Sequence, residues 1–362
     1  MKSIFNFASG PGVMPDAVLQ QAKDEFINWN DHGCSILEMP FICKDFKEIF
    51  HQAKARLRSL LDIPSHYHIL LMHGGASAQF SLVPLNLLGS QMCADYIETG
   101  HWSRRAIDEG QRYCRVNIAA SSRENGFSRI PPQDEMQLNA KAAYCHYTSN
   151  ETANGSQFHF VPESGNVPLV VDMTSDFLTR PIDVARYGMI YASSQKNIGS
   201  AGFTVVIVRD DLLDRASHIT PHVLHYKAQS EANSLINTPV TFAIYLAEMI
   251  FCWIDAQGGL QAMARNAMAR SSQLYRAIDE SNGFYCCHVL PDSRSHVNVC
   301  YTLKNSTLTP LFIKRAAEYR LVNLGGHSAL GGVRASLYNA MPEKGVTTLI
   351  DFMHQFSQEY QR

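Results

Sequence analysis

A lysine set among small residues, Lys196 in SSQKNIGSAG (193–202), separates two apolar runs, GMIYA (188–192) and FTVVIV (203–208). Most lysines are solvated surface cations. One held between two buried strands is partly desolvated, which lowers its pKa and makes it an amine nucleophile toward a carbonyl. Asp172 closes VPLVV (167–171). Alone it reads as a turn residue or a helix N-cap, but a carboxylate ending an apolar run is costly without a cationic partner. Lys196 follows Asp172 by 196 − 172 = 24 residues, room for one crossover between neighbouring parallel strands. A carboxylate and a lysine at adjacent strand ends suit pyridoxal 5'-phosphate. The acid keeps the pyridine nitrogen protonated and the lysine holds the aldehyde.

Other segments supply weaker signals. HGGAS (73–77) joins an apolar run to a helical pattern, and its small residues let backbone N–H groups approach a phosphate at a helix N-terminus. It is neither G-x-G-x-x-G nor a Walker A sequence, and Ser77 by itself reads as an N-cap. Trp102 follows Thr99, Gly100 and His101; a flat ring there can pack in a core or stack on a cofactor ring. Asn150, Glu151 and Thr152, like Asn237, Thr238 and Pro239, offer short polar groups and read as turns or helix starts.

The elements that must position these residues alternate along the chain. Runs at 68–72, 143–147, 167–171, 188–192 and 203–208 are strand-like, and 77–88, 239–256 and 261–281 are helical, an α/β pattern. Further on, 297–303 and 333–337 are strand-like and 310–318 is helical. In open α/β sheets ligands sit at strand carboxyl ends. A large domain over 16–257 and a small domain over 258–362, joined by 1–15, is the expected division.

The 362 residues are 46% hydrophobic and 18% charged, which excludes disorder. A formal charge of −2, from 31 basic and 33 acidic side chains, excludes the electrostatic footprint of a nucleic-acid binder. No run spans a bilayer and 1–7 does not read as a signal peptide. The nine cysteines lack metal-ligand spacing and read as reduced thiols. No metal, nucleic-acid or membrane partner is expected, and the location expected is cytoplasmic.

These segments together resemble the phosphoserine aminotransferase family, pyridoxal-phosphate enzymes of fold type I, class V. The resemblance runs through IFNFASGPG (4–12), HGGASAQF (73–80), TGHW (99–102), NET (150–152) and RPIDVARYG (180–188). It continues through YASSQKNIG (191–199), NTPVTFAIY (237–245) and GGVRASLYNAMP (331–342). It implies a large domain with a mainly parallel seven-stranded sheet and a small α+β C-terminal domain. It implies Lys196 as the Schiff-base lysine and proton shuttle, Asp172 on the pyridine nitrogen, Trp102 on the ring and Thr152 beside it. Ala76, Ser77 and Gln195 would hold the cofactor phosphate, with Asn237 and Thr238 reaching it from the partner of a homodimer that shares its active sites. Arg334 would clamp the substrate α-carboxylate, and Ser9 lies in the N-terminal substrate loop. The implied reaction is reversible transamination between L-glutamate and 3-phosphohydroxypyruvate, giving O-phospho-L-serine and 2-oxoglutarate, in serine biosynthesis. A related reaction of pyridoxine biosynthesis is a second family activity.

The substrate-phosphate half departs from the family pattern. Where the family has His-Arg, this chain has Phe41 and Ile42, and where it has a second His-Arg, it has His327 and Ser328; Ser77 also stands at a common Arg position. Serine and isoleucine cannot imitate the planar fork of arginine. His101, Arg104, Arg105, Lys44 and His327 are the candidate replacement cations. Two alternatives therefore stand beside phosphoserine turnover: an aminotransferase of the same branch with a less anionic substrate, and an inactive homologue with a binding role.

Overall fold

The computed structural model describes residues 4–360; residues 1–3 and 361–362, which the domain division includes, lie outside the described residues. Seven segments pair into one sheet in the spatial order Tyr67–His73, Phe203–Arg209, Met189–Ser193, Leu169–Asp172, Cys145–Thr148, Cys93–Glu98 and Arg115–Ser121. Phe203–Arg209 runs antiparallel to both of its neighbours and the other pairings are parallel. The sheet is the mainly parallel, seven-stranded one expected.

Apolar residues fill the central strands because both faces are covered. Side chains alternate between the faces with period two. Ile69, Leu71, Val171, Val205 and Ile207 pack with Phe46, Phe50 and Leu57 of the helix Lys44–Leu60 and with Ile250 of Thr241–Ala256. Leu70, Met72, Val170, Val206 and Val208 face the other way, onto Phe80 and Val83 of Ala76–Leu87 and Ile107 of His101–Gly110. A third cluster joins Phe7 and Val13 to the helices Gly259–Asp279 and Glu343–Tyr360 and to an antiparallel sheet of Tyr285–Cys286, Asn298–Leu303 and Val333–Ser336. Phe5–Asn6 pairs in parallel with Leu321–Val322.

Two local details differ from the sequence reading, and one, the make-up of a crossover, adds to it. The strand expected from 167 begins at Leu169, because Pro168 has no N–H to give the ladder; its carbonyl accepts from Cys145 N instead. The crossover from Asp172 to Met189 contains turns and the 3-10 segment Val184–Arg186 rather than an α-helix, consistent with Pro181 biasing Arg180 out of the helical region. Asn150–Glu151 forms a short antiparallel pair with Ser156–Gln157. Among the described residues no helix is long and apolar enough to cross a membrane, no group of three potential ligands could hold a metal ion, and all nine cysteines are free.

Candidate active site

Asp172 ends its strand directly beside Tyr191 of the neighbouring one, two residues before Ser193. The chain then turns through Ser194, Gln195 and Lys196 before re-entering the sheet at Phe203. This turn brings Lys196 and Asp172 into one cavity of ≈ 240 Å³ at the carboxyl edge of the sheet. Both are buried, at 8% and 4% exposure. Lys196 Nζ donates to Thr152 Oγ1 at 2.6 Å. Burial lowers this amine to about 8, with Arg334 pushing the same way and Asp172 opposing. Burial pushes the Asp172 carboxyl up, while hydrogen bonds from Thr174, including its N–H at 2.9 Å, and the charge of Lys196 pull it down.

At one wall of the cavity the strand Tyr67–His73 breaks at Gly74, whose φ of +92° is left-handed, and the helix Ala76–Leu87 begins. The first N–H groups of a helix have no intrahelical acceptor. Those of Ala76 and Ser77 therefore open an anion cradle where Gly75, Ala76 and Ser77 line the cavity. Gln195 lines it too, its side chain accepting from Ser193 Oγ.

Trp102 sits in the first turn of His101–Gly110, which follows Gly100 and so has no side-chain cap of its own. The buried Glu151 supplies one from outside, its carboxylate accepting from Trp102 N and Ser103 N at 2.8 Å each. Asn154 Oδ1 accepts from His101 N at 3.0 Å. Burial pushes Glu151 up to about 6 against these hydrogen bonds. A Cβ on Gly100 would fall 2.6 Å from both Asn154 and Glu151, so only glycine fits.

Arg334, on Val333–Ser336, is 8% exposed. Its guanidinium donates to Ser9 Oγ at 2.8 Å and to Thr152 O at 3.3 Å. The N-terminal stretch is anchored where Tyr338 OH donates to Ser9 O at 2.5 Å. It passes closely over Lys196: Gly10 has φ +145°, and a Cβ there would meet Gln195 Cγ at 3.3 Å. His327 completes the lining, its ring 4.3 Å from that of His101 and 6.0 Å from that of Trp102. Burial lowers both histidines; His327 and the flanking Arg105 and Arg104 lower His101 further, and Arg334 lowers His327 further.

The cavity thus brings together Ser9, Ala76, Ser77, Trp102, Thr152, Asp172, Gln195, Lys196, His327 and Arg334. Asn237, Thr238, Ile42 and Ser328 are exposed and do not line it. Nor do the candidate cations Lys44, Arg104 and Arg105: Lys44 opens its helix, Arg104 lies 3.7 Å from Glu98, and Arg105 lines a separate surface hollow with Ser77 and Asp108. Sequence reasoning passed over Glu151 and Thr148. The signal for Glu151 was indirect: a helix starting after glycine needs a remote acceptor.

The residues present fit a flat, phosphorylated, ring-nitrogen cofactor. Trp102 Nε1 and Thr148 Oγ1 are buried without a partner among the described residues, and both residues line the cavity. Orphaned polar groups of this kind mark a site that a polar ligand completes. A buried carboxylate, an amine lowered by burial to about 8, an amide cradle and a guanidinium form a set suited to carbonyl chemistry on an amino acid.

Comparison with known proteins gives the same direction. The family model described as aminotransferase class-V matches residues 4–349. A phosphoserine aminotransferase of Chromobacterium violaceum is 45% identical over 361 residues, covering 99% of this chain and 100% of the relative. The solved phosphoserine aminotransferase from Bacillus circulans subsp. alkalophilus is 40% identical, with a TM-score of 0.97 over 99% of each chain. A pyridoxal-phosphate-bound phosphoserine aminotransferase from Trichomonas vaginalis is 37% identical, with a TM-score of 0.93 over 97% of this chain and 99% of that one.

Proposed function

The chain belongs to the aminotransferase class-V family, and on that premise we propose that it carries out the reaction its curated relatives are named for. That reaction is pyridoxal-phosphate-dependent transfer of an amino group between L-glutamate and 3-phosphohydroxypyruvate, a step of serine biosynthesis. The observation that carries the reading is the buried amine of Lys196 sharing one cavity with Asp172 and Arg334.

When bound, the cofactor supplies an aldehyde that takes up the amino group and a ring that withdraws electrons from the substrate Cα. The chain's own residues do the rest. Asp172, kept from solvent, presents a carboxylate to the ring nitrogen and holds a proton there. Ala76 and Ser77 N–H groups, the Ser77 hydroxyl and Gln195 hold the phosphate, and Trp102 and Thr152 flank the ring. Arg334, steadied by Ser9, clamps the substrate α-carboxylate as a fork. Lys196 Nζ, in its free-amine form, takes the proton from the substrate Cα and shuttles it onward. For the substrate's phosphate, His327 in the cavity wall, with His101 beside it, is the candidate donor.

A homodimer with shared sites is part of the proposal, with Asn237 and Thr238 completing the partner's phosphate cradle. Exposed apolar side chains support it: Ile27 is 80% and Ile42 67% exposed, with Phe26 and Leu37 also uncovered. The division into 16–257 and 258–362 with 1–15, and a cytoplasmic location in keeping with nine free thiols, belong to the same reading. Coupled assay of 2-oxoglutarate release from glutamate and 3-phosphohydroxypyruvate tests it. Sustained turnover is expected; a yellow holoprotein that turns over other keto acids but not this one would overturn it.

A further inference from the structure

A second and larger cavity, ≈ 640 Å³, lies between the N-terminal stretch, the helix Gly259–Asp279 and residues 339–344. Its wall holds two buried side chains whose hydrogen-bonding groups are left over. Arg270 is 5% exposed. Its Nη1 donates to Asn339 O at 3.1 Å and to Met341 O, while Nε and Nη2 have no partner among the described residues. Burial lowers this guanidinium only to about 10, so it is charged at neutral pH. Glu343 acts on it through space, but among the described residues the two make no ion pair, and the Glu343 carboxylate accepts from Gln273 at 3.5 Å. Asn339 is 8% exposed. Its Nδ2 donates to Leu178 O at 2.8 Å, and its Oδ1 is unpartnered.

A buried charged donor left unmade is among the costlier defects in a fold. The Nε–Nη2 edge is one side of a guanidinium fork, the geometry that binds a carboxylate through two parallel hydrogen bonds. The leftover Asn339 amide oxygen accepts from an ammonium or amide N–H. Together, the two groups are complementary to the carboxylate and α-ammonium of a free amino acid. Among the described residues, charged side chains of both signs line the cavity, Arg270 and Lys344 with Glu343. Val13, Trp253 and Met263 give the lining an apolar portion for a side chain.

We propose that this cavity is a regulatory site for a small α-amino acid, with its carboxylate on Arg270 and its ammonium on Asn339 Oδ1. The wall that binds it is tied to the active site. Asn339 N donates to Asn197 Oδ1 at 3.0 Å, one residue from Lys196, and the adjacent Tyr338 holds Ser9. Occupancy therefore biases the segments carrying Lys196 and Ser9. Any effect on substrate affinity must be matched by an equal effect of substrate on the effector.

The test is calorimetric titration of borohydride-reduced holoenzyme with L-alanine, L-serine and L-leucine. Propionate is the control lacking the ammonium, and Arg270→Lys the variant that keeps the charge and the carbonyl contacts but loses the fork. At least one amino acid is expected to bind once per chain. Its Kd should rise at least about tenfold in Arg270→Lys, and propionate should bind at least as much more weakly. Binding unchanged by Arg270→Lys, equal affinity for propionate, or no heat at millimolar concentration would overturn the site. Should Arg270→Lys not fold, hydrogen exchange of the parent holoenzyme decides: protection of 266–270 and 339–344 by the amino acid supports it, and its absence overturns it. These readouts do not depend on which keto acid is turned over, so they stand apart from the reaction proposed above.

Discussion

Lys196 is the residue on which the chemistry turns, and its environment makes a quantitative statement about pH. Its free amine is the reactive form, and burial brings the pKa from 10.5 to about 8. The charged form is disfavoured in the fold, so the reactive fraction is nearly complete above that value and falls about tenfold per pH unit below it. Capture of pyridoxal phosphate by the apoprotein should follow this curve, with a midpoint near 8. A midpoint near the ordinary lysine value would show that the amine is not desolvated. Lys196→Ala should lose transamination by at least about 10³-fold, and borohydride should no longer fix the cofactor to the peptide containing residue 196. Residual activity within tenfold of the parent would remove Lys196 from its role.

At the scale of elements, the site depends on where strands end and how helices start. The helix carrying Trp102 borrows its N-terminal acceptor from Glu151. Glu151→Gln keeps the shape and loses the charge; it should cost about 1–2 kcal/mol, seen as a lowered Tm and a changed near-ultraviolet Trp signal. An unchanged Tm would show that the helix start does not need the carboxylate. The strand ends at Asp172 and before Lys196 were legible in the sequence because short apolar runs stop abruptly there. Cys93–Glu98 was not. Its residues are all buried, yet the sequence CADYIE carries two acids. They are satisfied by groups distant in sequence: Asp95 by Asn117 at 2.9 Å and Asn139 N at 2.7 Å, Glu98 by Ser121 and Arg123. No local pattern announces such partners. Glu151 was obscure for the same reason. Asn237, Thr238 and Ile42 rest on resemblance alone, since one chain does not bring them into its own cavity.

The whole molecule is a sheet-built platform with an N-terminal stretch that packs on the C-terminal elements and runs over the active lysine. That two chains build each site is part of the proposal; it rests on the resemblance, with the exposed apolar side chains in keeping with it. Complementation tests this directly. A Lys196→Ala chain and an Asn237→Ala, Thr238→Ala chain, each weakly active alone, should regain activity when mixed under exchanging conditions, because one hybrid site then has every group intact. No recovery, with hybrid dimers demonstrated, would mean that each chain serves its own site. Which substrate the assembled site prefers is a question about charge. The cavity keeps Arg334 and His327, while Ile42 and Ser328, outside it in the single chain, stand where the resemblance implies arginine. The most direct measurement is therefore kcat/KM for O-phospho-L-serine against L-serine and L-alanine, with 2-oxoglutarate as acceptor and saturating cofactor. A preference for the phosphorylated amino acid of about 10²-fold or more is predicted, as expected from one or two charge-assisted hydrogen bonds to the phosphate. An equal or greater kcat/KM for L-serine or L-alanine would contradict it.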